Sequence, residues 1–297
     1  MATQRSGQLV WSLPDRDHNG ETIMKIRGAG VVWTGLLLSC LCAGTTLAAV
    51  SDAEFSALKK RVDRQQDWQA VSNLMGARAN LMVANRGDLV IELFAKKQPD
   101  VAFALNGQFI EVGHDRIKAA FGKDPQRQQR ALEQLAKVYP QLEAKLENQG
   151  AGDFRAHALM SPIIEVAEDG QTAQGFWQTI GPAFFSGANN GGTPTAALSY
   201  EKYAVDFIKE DGQWKIWHLQ TFIEFYQEFD KPFADQVKAA MTPRTGDNAG
   251  PAGTPPANAG GTPYPEWTPV RVPKQVPLPK PYKTFSETYS YGPPTTR

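Results

Sequence analysis

The sequence predicts an α+β domain in which amphipathic helices precede a strongly curved antiparallel sheet. The first observation is the helical spacing of apolar residues over 67–85, in a stripe that also includes Arg78 and Asn85. The second is a pair of tight turns, Asp169-Gly170 and Asp211-Gly212, each between two strand-like segments. Helices followed by a strand meander with short connections define this class.

Local signals predict the remaining elements. Asn106-Gly107 predicts a hairpin within 101–112, and Asp124-Pro125 marks the start of a helix that Pro140 should end or kink. Residues 124–150 therefore form a predicted helical insert. The four main predicted strands are 156–166, 172–185, 200–209 and 214–226. Such a bent sheet, with helices across its open side, forms a cone with a mouth.

Composition limits the function classes. The 297 residues include 31 basic and 31 acidic side chains, so the formal net charge is zero, which argues against a dedicated nucleic-acid binder. A hydrophobic content of 41 % is enough for a real core. Two cysteines cannot form a disulfide scaffold or a four-ligand zinc site. Function must therefore be inferred from local features.

The N-terminal segment has the sequence pattern of a secretory signal peptide. Lys25 and Arg27 precede an apolar run over 29–42, and Thr46-Leu47-Ala48 fits a small-residue cleavage site. Residues 24–49 are therefore predicted to be a signal peptide, and residues 1–23 a doubtful N-terminal extension with Met24 as the true start. The mature protein should then be exported, periplasmic or secreted, with no stable membrane span.

Two alternatives for this segment remain open. Glycines interrupt the apolar run, which falls short of a clean membrane span, although a transmembrane anchor is the competing interpretation. Ser39-Cys40 weakly resembles a lipoprotein processing site. Both cysteines, Cys40 and Cys42, lie inside the predicted signal, so its removal would leave a protein without thiols.

The C-terminal segment, 233–297, is predicted to be a linker followed by an extended arm. Of the 21 prolines, 13 lie within 241–297, and 243–263 is rich in Pro, Gly, Ala and Thr. Residues 264–291 alternate prolines with aromatic residues, which favours extended polyproline II structure lying on an apolar surface. That surface is expected on the protein itself or on a sister subunit. A ligand tail for a foreign partner and free disorder are the alternatives.

A set of motifs occurs in order along the predicted domain, residues 50–232: 67–94, 113–117, His157 with 162–166, 172–177, and Tyr203 with 210–216. Over about residues 55–232, these motifs resemble the SnoaL-like group of the nuclear transport factor 2-like (NTF2-like) superfamily. The resemblance implies an NTF2-like cone, frequent homodimers, and in some members cofactor-independent lyase or isomerase activity. Known activities include those of scytalone dehydratase, a dehydrochlorinase, ketosteroid isomerase and polyketide cyclases, whereas other members only bind or scaffold.

The resemblance also implies candidate site residues. In dehydratase-like members, a His on the first long strand works with an Asp near the end of the first long helix. His157 matches the His, but the stretch that should hold the Asp is Val83-Ala84-Asn85, which has no carboxylate. His157 as base, with Asn85 and Tyr203 as hydrogen-bond partners, is the expected catalytic set. The expected pocket-lining residues are Trp177, Trp217, Phe222 and Tyr226.

Two functions of different classes follow. One is a lyase or isomerase that acts on a small hydrophobic molecule through His157. The other is a non-catalytic ligand-binding or dimeric interaction module, which the missing Asp favours. No cofactor is expected, and the four scattered histidines, among which His218 is expected to be structural, suggest no metal site.

Overall fold

The computed structural model describes residues 50–107, 109–121, 125–188, 191–236 and 264–293. The predicted signal peptide and the predicted linker over 243–263 lie outside these residues. Within the described ranges, no helix is long and apolar enough to cross a membrane.

The first helix, α1 (Asp52–Val83), begins at a capping box. Ser51 Oγ accepts a hydrogen bond from the Glu54 amide, and the Glu54 carboxylate accepts one from the Ser51 amide. The helix ends two residues earlier than predicted, because Asn85 adopts a φ of 53° and leaves the helical face. Arg78 therefore lies in the buried stripe and Asn85 does not. The shorter helices are α2 (Gly87–Val90), a 3₁₀ turn (Ile91–Leu93), α3 (His114–Ala120) and α4 (Pro125–Val138).

Within the described residues, seven strands form one curled sheet, in the order β2-β1-β7-β6-β5-β3, with β4 also paired to β5. Their bounds are β1 (Ala102–Leu105), β2 (Phe109–Val112), β3 (Phe154–Arg155), β4 (Ala158–Val166), β5 (Thr172–Phe185), β6 (Thr195–Glu210) and β7 (Gln213–Glu228). The sheet is antiparallel as predicted except at one pair of strands, where β1 runs parallel to β7. No hairpin joins these two strands, which are far apart in sequence, so nothing local fixes their direction.

The turn chemistry explains the strand connections. Asn106-Gly107 and Asp211-Gly212 have positive φ at both positions, as a two-residue hairpin turn requires. Strand β6 begins five residues before its predicted start, because residues 195–199 pair with 181–185 of β5. Register shifts along β6 and β7, at Tyr200/Glu201 and Asp206/Phe207, accompany the bending of the sheet.

The inner face of the sheet packs against α1. Val71 and Met75 of the helix are fully buried against side chains of β5, β6 and β7. Side chains on the inner face alternate along each strand, so Trp177, Tyr203 and Thr221 share one cross-strand row. This core holds α1 across the inner face of the sheet.

The outer face of the same sheet is covered by residues 264–293. Phe176 and Ala204 of the sheet form an apolar cluster with Tyr264, Val276 and Tyr291 of this segment. Polar contacts fix the segment in place: Arg271 Nη1 donates to Glu224 Oε2 over 2.7 Å, and the Tyr264 hydroxyl donates to Glu224 Oε1 over 2.6 Å. In this structure the segment therefore packs on its own chain.

A buried polar network joins this segment to the sheet. The Asp206 carboxylate accepts hydrogen bonds from Gln174 Nε2 (2.9 Å), Ser290 Oγ (2.9 Å) and the Tyr291 amide (2.7 Å). His218 Nδ1 lies 2.8 Å from the same carboxylate, and His218 Nε2 lies 3.6 Å from Asp100. The backbone of Gly292 lies so close to the His218 ring that a Cβ there would come within 2.8 Å. His218 therefore has the structural surroundings that the sequence suggested.

This network predicts a pH dependence of stability. Burial lowers the pKa of His218, but Asp100 and Asp206 together outweigh it and raise that pKa above 6.5. A histidine whose pKa is higher in the folded state than in the unfolded state stabilises the fold. The stabilisation is complete below the unfolded-state pKa and is lost as the pH rises through the folded-state pKa. We expect the melting temperature of the wild type to fall, relative to His218→Gln, as pH increases from about 6 to about 9. Parallel curves for the two proteins would contradict this assignment.

Candidate functional site

The candidate site lies where the edge strand is interrupted. Strands β3 and β4 both pair with β5, and the two residues between them are Ala156 and His157. The main chain here passes so close to Gly181 that a Cβ on this glycine would fall 1.5 Å from the Ala156 carbonyl oxygen. The interruption places His157 against the inner face, with its side chain 22 % exposed.

Three polar side chains of the inner face surround this histidine. His157 Nδ1 lies 3.5 Å from Thr179 Oγ1 and 3.8 Å from Glu201 Oε2. The ring of Tyr203 lies 6.3 Å from the imidazole, centroid to centroid. Thr179 is opposite Glu201 in the register of β5 and β6, and Tyr203 follows two residues on, so strand alternation brings these groups together.

Helix α1 adds a cation to the cluster. Arg78 is 5 % exposed, and its guanidinium lies 5.1 Å from the centroid of the Tyr203 ring. Burial raises the pKa of the Tyr203 hydroxyl, and interactions with Arg78 and Thr179 partly oppose that rise. Arg78 Nε is buried and has no hydrogen-bond partner among the described residues. A buried guanidinium with an uncommitted N–H is a donor that an incoming carbonyl oxygen or anion could use.

The electrostatics of the cluster set the protonation states. Burial lowers the pKa of His157 below 6.5, and the nearby Arg78 and Arg155 lower it further, while Glu201 opposes them. Burial raises the pKa of the Tyr203 hydroxyl above its ordinary 10.0. At neutral pH the site thus holds a neutral imidazole, which is a base, and a protonated phenol, which is a donor.

Of the three residues expected to carry catalysis, the structure brings two together. His157 and Tyr203 share the cluster just described. Asn85 is exposed, and its amide contacts the Gln149 carbonyl oxygen at 3.5 Å. It lies beyond the end of α1 in a left-handed conformation, so its side chain is not on the helix face that Arg78 occupies.

The four residues that were expected to line a pocket also lie in different parts of the structure. Trp177 is buried on the inner face, where it packs edge-on against Phe207. Trp217 and Phe222 contact residues 264–293 instead of lying beside His157; their ring partners there are Phe285 and Tyr264. Tyr226 is opposite Ser199 near the far end of the sheet and is 41 % exposed.

Sequence reasoning missed three members of the cluster, namely Arg78, Thr179 and Glu201. Signals for two of them were present. Arg78 interrupts an otherwise apolar helical stripe, and Glu201 precedes Tyr203 by two residues on one strand, which places both on one face. The carboxylate that the family pattern puts on the first helix is absent from that helix end, and a carboxylate from β6 stands beside His157.

The described part of the chain contains no group of three His, Cys, Asp or Glu side chains that could hold a metal ion. The groups at this site are the His157 imidazole, one carboxylate, two hydroxyls and a guanidinium. Such groups suit hydrogen bonding and proton transfer.

Comparison with known proteins gives the family. The profile of the SnoaL-like domain matches residues 64–220, which include most of α1, the insert, His157 and most of the sheet. The chain belongs to the SnoaL-like domain family. Residues 264–293, which cover the outer face, lie outside the SnoaL-like match. No curated protein shows significant similarity to the chain.

Several solved structures are similar to part of this chain. An NTF2-like protein with a cystatin-like fold from Novosphingobium aromaticivorans is 15 % identical, with a TM-score of 0.36 over 63 % of this chain and 96 % of its own. A provisionally assigned scytalone dehydratase from the same organism is 14 % identical, with a TM-score of 0.42 over 58 % of this chain and 93 % of its own. The type 3 hexachlorocyclohexane dehydrochlorinase LinA from Novosphingobium barchaimii is 12 % identical, with a TM-score of 0.41 over 58 % of this chain and 96 % of its own. At such low identity, the activities of these proteins do not transfer to this chain.

Proposed function

We propose that this SnoaL-like protein is a cofactor-independent isomerase or dehydratase that moves a proton next to the carbonyl group of a small hydrophobic molecule. The observation that carries the proposal is the set of groups around His157. A neutral imidazole, a protonated phenol and a buried guanidinium with a free N–H lie within one cluster. These are a base and two donors for a developing oxyanion.

The reaction follows from this arrangement. Glu201 and Thr179 face Nδ1, so a proton on Nδ1 leaves the lone pair on Nε2 free to act as the base. His157 takes a proton from the carbon beside the carbonyl group, and the electron pair moves to the carbonyl oxygen. Arg78 and Tyr203 stabilise the resulting enolate by hydrogen bonds. The imidazolium then returns the proton, either to another carbon in an isomerisation or to a departing β-hydroxyl in a dehydration.

Glu201 has a positioning role in this scheme. A carboxylate 3.8 Å from Nδ1 favours the tautomer that keeps Nε2 free, and it stabilises the imidazolium that forms. We expect Glu201→Gln to lower the rate about 10-fold and to shift the pH at which His157 loses its proton further down, because Glu201 raises that pKa. An unchanged pH profile would show that Glu201 does not act through His157.

The proposal is tested by deuterium exchange. Uncharged cyclic ketones and β-hydroxy ketones are incubated in D₂O with the full chain, and exchange beside the carbonyl group is followed by proton NMR. We expect enzyme-dependent exchange for at least one ketone, and a rate about 10²-fold lower for Tyr203→Phe, which removes one oxyanion donor. Binding without exchange across the whole panel would instead favour the non-catalytic ligand-binding alternative.

Export and oligomeric state are further parts of the proposal. The basic, apolar and small-residue pattern over 24–49 supports a secreted or periplasmic location. Secretion is checked by the N-terminal sequence of the protein recovered outside the cytoplasm, which should begin near residue 50. A homodimer, which the family resemblance favours, would have to use a surface other than the outer-face patch that residues 264–293 occupy here.

A further inference from the structure

A cavity lies at the far end of the sheet, and His157 is not among the residues that line it. Its volume is about 570 Å³, which is within the range of small-molecule sites. The segment between α4 and β3 forms one wall, and the ends of β5, β6 and β7 form the other. The lining residues are Tyr139, Leu142, Ala151, Gly152, Phe184, Phe185, Ser186, Pro194, Thr195, Ala196, Phe229 and Asp230.

The walls of this tip cavity are apolar and aromatic. Phe184, Phe185 and Phe229 contribute three rings, with Leu142 and Pro194 beside them. Phe184 is also stacked on Phe154, with ring centroids 5.7 Å apart and planes 21° apart. Flat aromatic ligands suit such a lining, because offset-stacked and edge-to-face ring contacts add to the burial of apolar surface.

Polar groups of two lining residues, Tyr139 and Ser186, already have partners within the protein. The Tyr139 hydroxyl donates to the Ser186 carbonyl oxygen, and the Ser186 amide donates to Asp153 Oδ1 over 2.9 Å. Gly152 permits this close packing, since a Cβ at that position would lie 3.0 Å from Ser186 Cβ. The charged lining residue is Asp230, which is exposed and disfavours an anionic ligand.

We propose that the tip cavity binds one small, uncharged aromatic molecule. It does so independently of His157, which is not among the lining residues. The cavity has walls that match a flat apolar ring system, and a carboxylate at its edge that repels anions. This site is separate from the proton-transfer site, so an experiment can contradict one of the two proposals without contradicting the other.

The test is a fluorescence titration of the full chain with the neutral probe N-phenyl-1-naphthylamine. We expect saturable binding with one site per chain. Ala151→Trp, which fills the cavity, should raise the Kd at least about 10-fold, whereas His157→Gln should leave the Kd unchanged within about twofold. Val272→Ser, at a side chain that is 82 % exposed elsewhere, is the matched control for adsorption to surface residues and should also leave it unchanged.

Charge gives a second, independent readout. The anionic probe 1-anilinonaphthalene-8-sulfonate should bind more weakly than the neutral probe. Asp230→Asn should reduce the difference in Kd between the two probes. If circular dichroism shows that Ala151→Trp does not fold, Leu142→Asp replaces it as the variant that should weaken binding, because it places a second carboxylate in the wall. Non-saturable binding, or equal affinity in the wild type and the folded filling variant, would overturn the proposal.

Discussion

Replacing His157 with glutamine is expected to lower the rate of enzyme-dependent deuterium exchange by about 10²- to 10⁴-fold. The reason is that His157 is the group of this cluster that is neutral and basic at pH 7, with Nε2 free of hydrogen bonds to described residues. Glutamine keeps a polar side chain of similar reach but cannot accept a proton at this pH. The measurement is the initial rate of exchange at a saturating concentration of a responding ketone.

A matched control separates catalysis from folding. His114→Gln makes the same chemical change at the start of α3, outside the His157 cluster, and should leave the exchange rate unchanged. Both variants should retain the far-ultraviolet circular dichroism spectrum of the wild type. A His157→Gln rate within about threefold of the wild-type rate would contradict the role given to this residue.

Replacing Asp206 with alanine is expected to lower the free energy of unfolding by about 3–5 kcal/mol. The carboxylate is fully buried and accepts hydrogen bonds from Gln174, Ser290, the Tyr291 amide and His218. Its removal leaves several buried donors without an acceptor, and it leaves the His218 imidazole without its closest counter-charge. Urea unfolding followed by tryptophan fluorescence gives the free energy.

The control for this variant is an exposed ion pair. Asp63→Ala removes the Lys59–Asp63 pair on the surface of α1, where both side chains are about half exposed or more, and should cost less than about 1 kcal/mol. In Asp206→Ala, protease cleavage within 264–293 should also become faster, because the lost hydrogen bonds hold this segment on the sheet. A cost below about 1 kcal/mol would contradict the structural role of the network.

The parts of the fold that depend on local signals were predictable from the sequence. Apolar periodicity located the C-terminal part of α1, from residue 67 onward, and Asn106-Gly107 and Asp211-Gly212 located two hairpins, because these signals act over a few residues. The parallel pairing of β1 with β7 was not predictable, since no local signal joins segments so far apart in the chain. The length of β6 was underestimated for the same reason, because pairing with β5 extends it to Thr195.

The candidate site was predictable only in part. His157 and Tyr203 followed from the family resemblance, but the partner of the histidine was sought at 83–85 because the family pattern places it there. The helix ends at Val83, and the left-handed conformation of Asn85 removes that side chain from the helix face. The carboxylate beside His157 comes instead from Glu201, whose position depends on the register of β5 and β6, and a sequence alone does not specify that register.

The most direct test of the proposed proton transfer is the pH dependence of kcat/KM for deuterium exchange. Because burial lowers the pKa of His157, we predict that the rate rises with pH along a single acid limb below pH 6.5 and is level above it. Since Tyr203 has a raised pKa, no decline is expected up to its ordinary value of 10.0. The acid limb should disappear in His157→Gln. An acid limb above pH 6.5, or one that persists in His157→Gln, would contradict the assignment of His157 as the base.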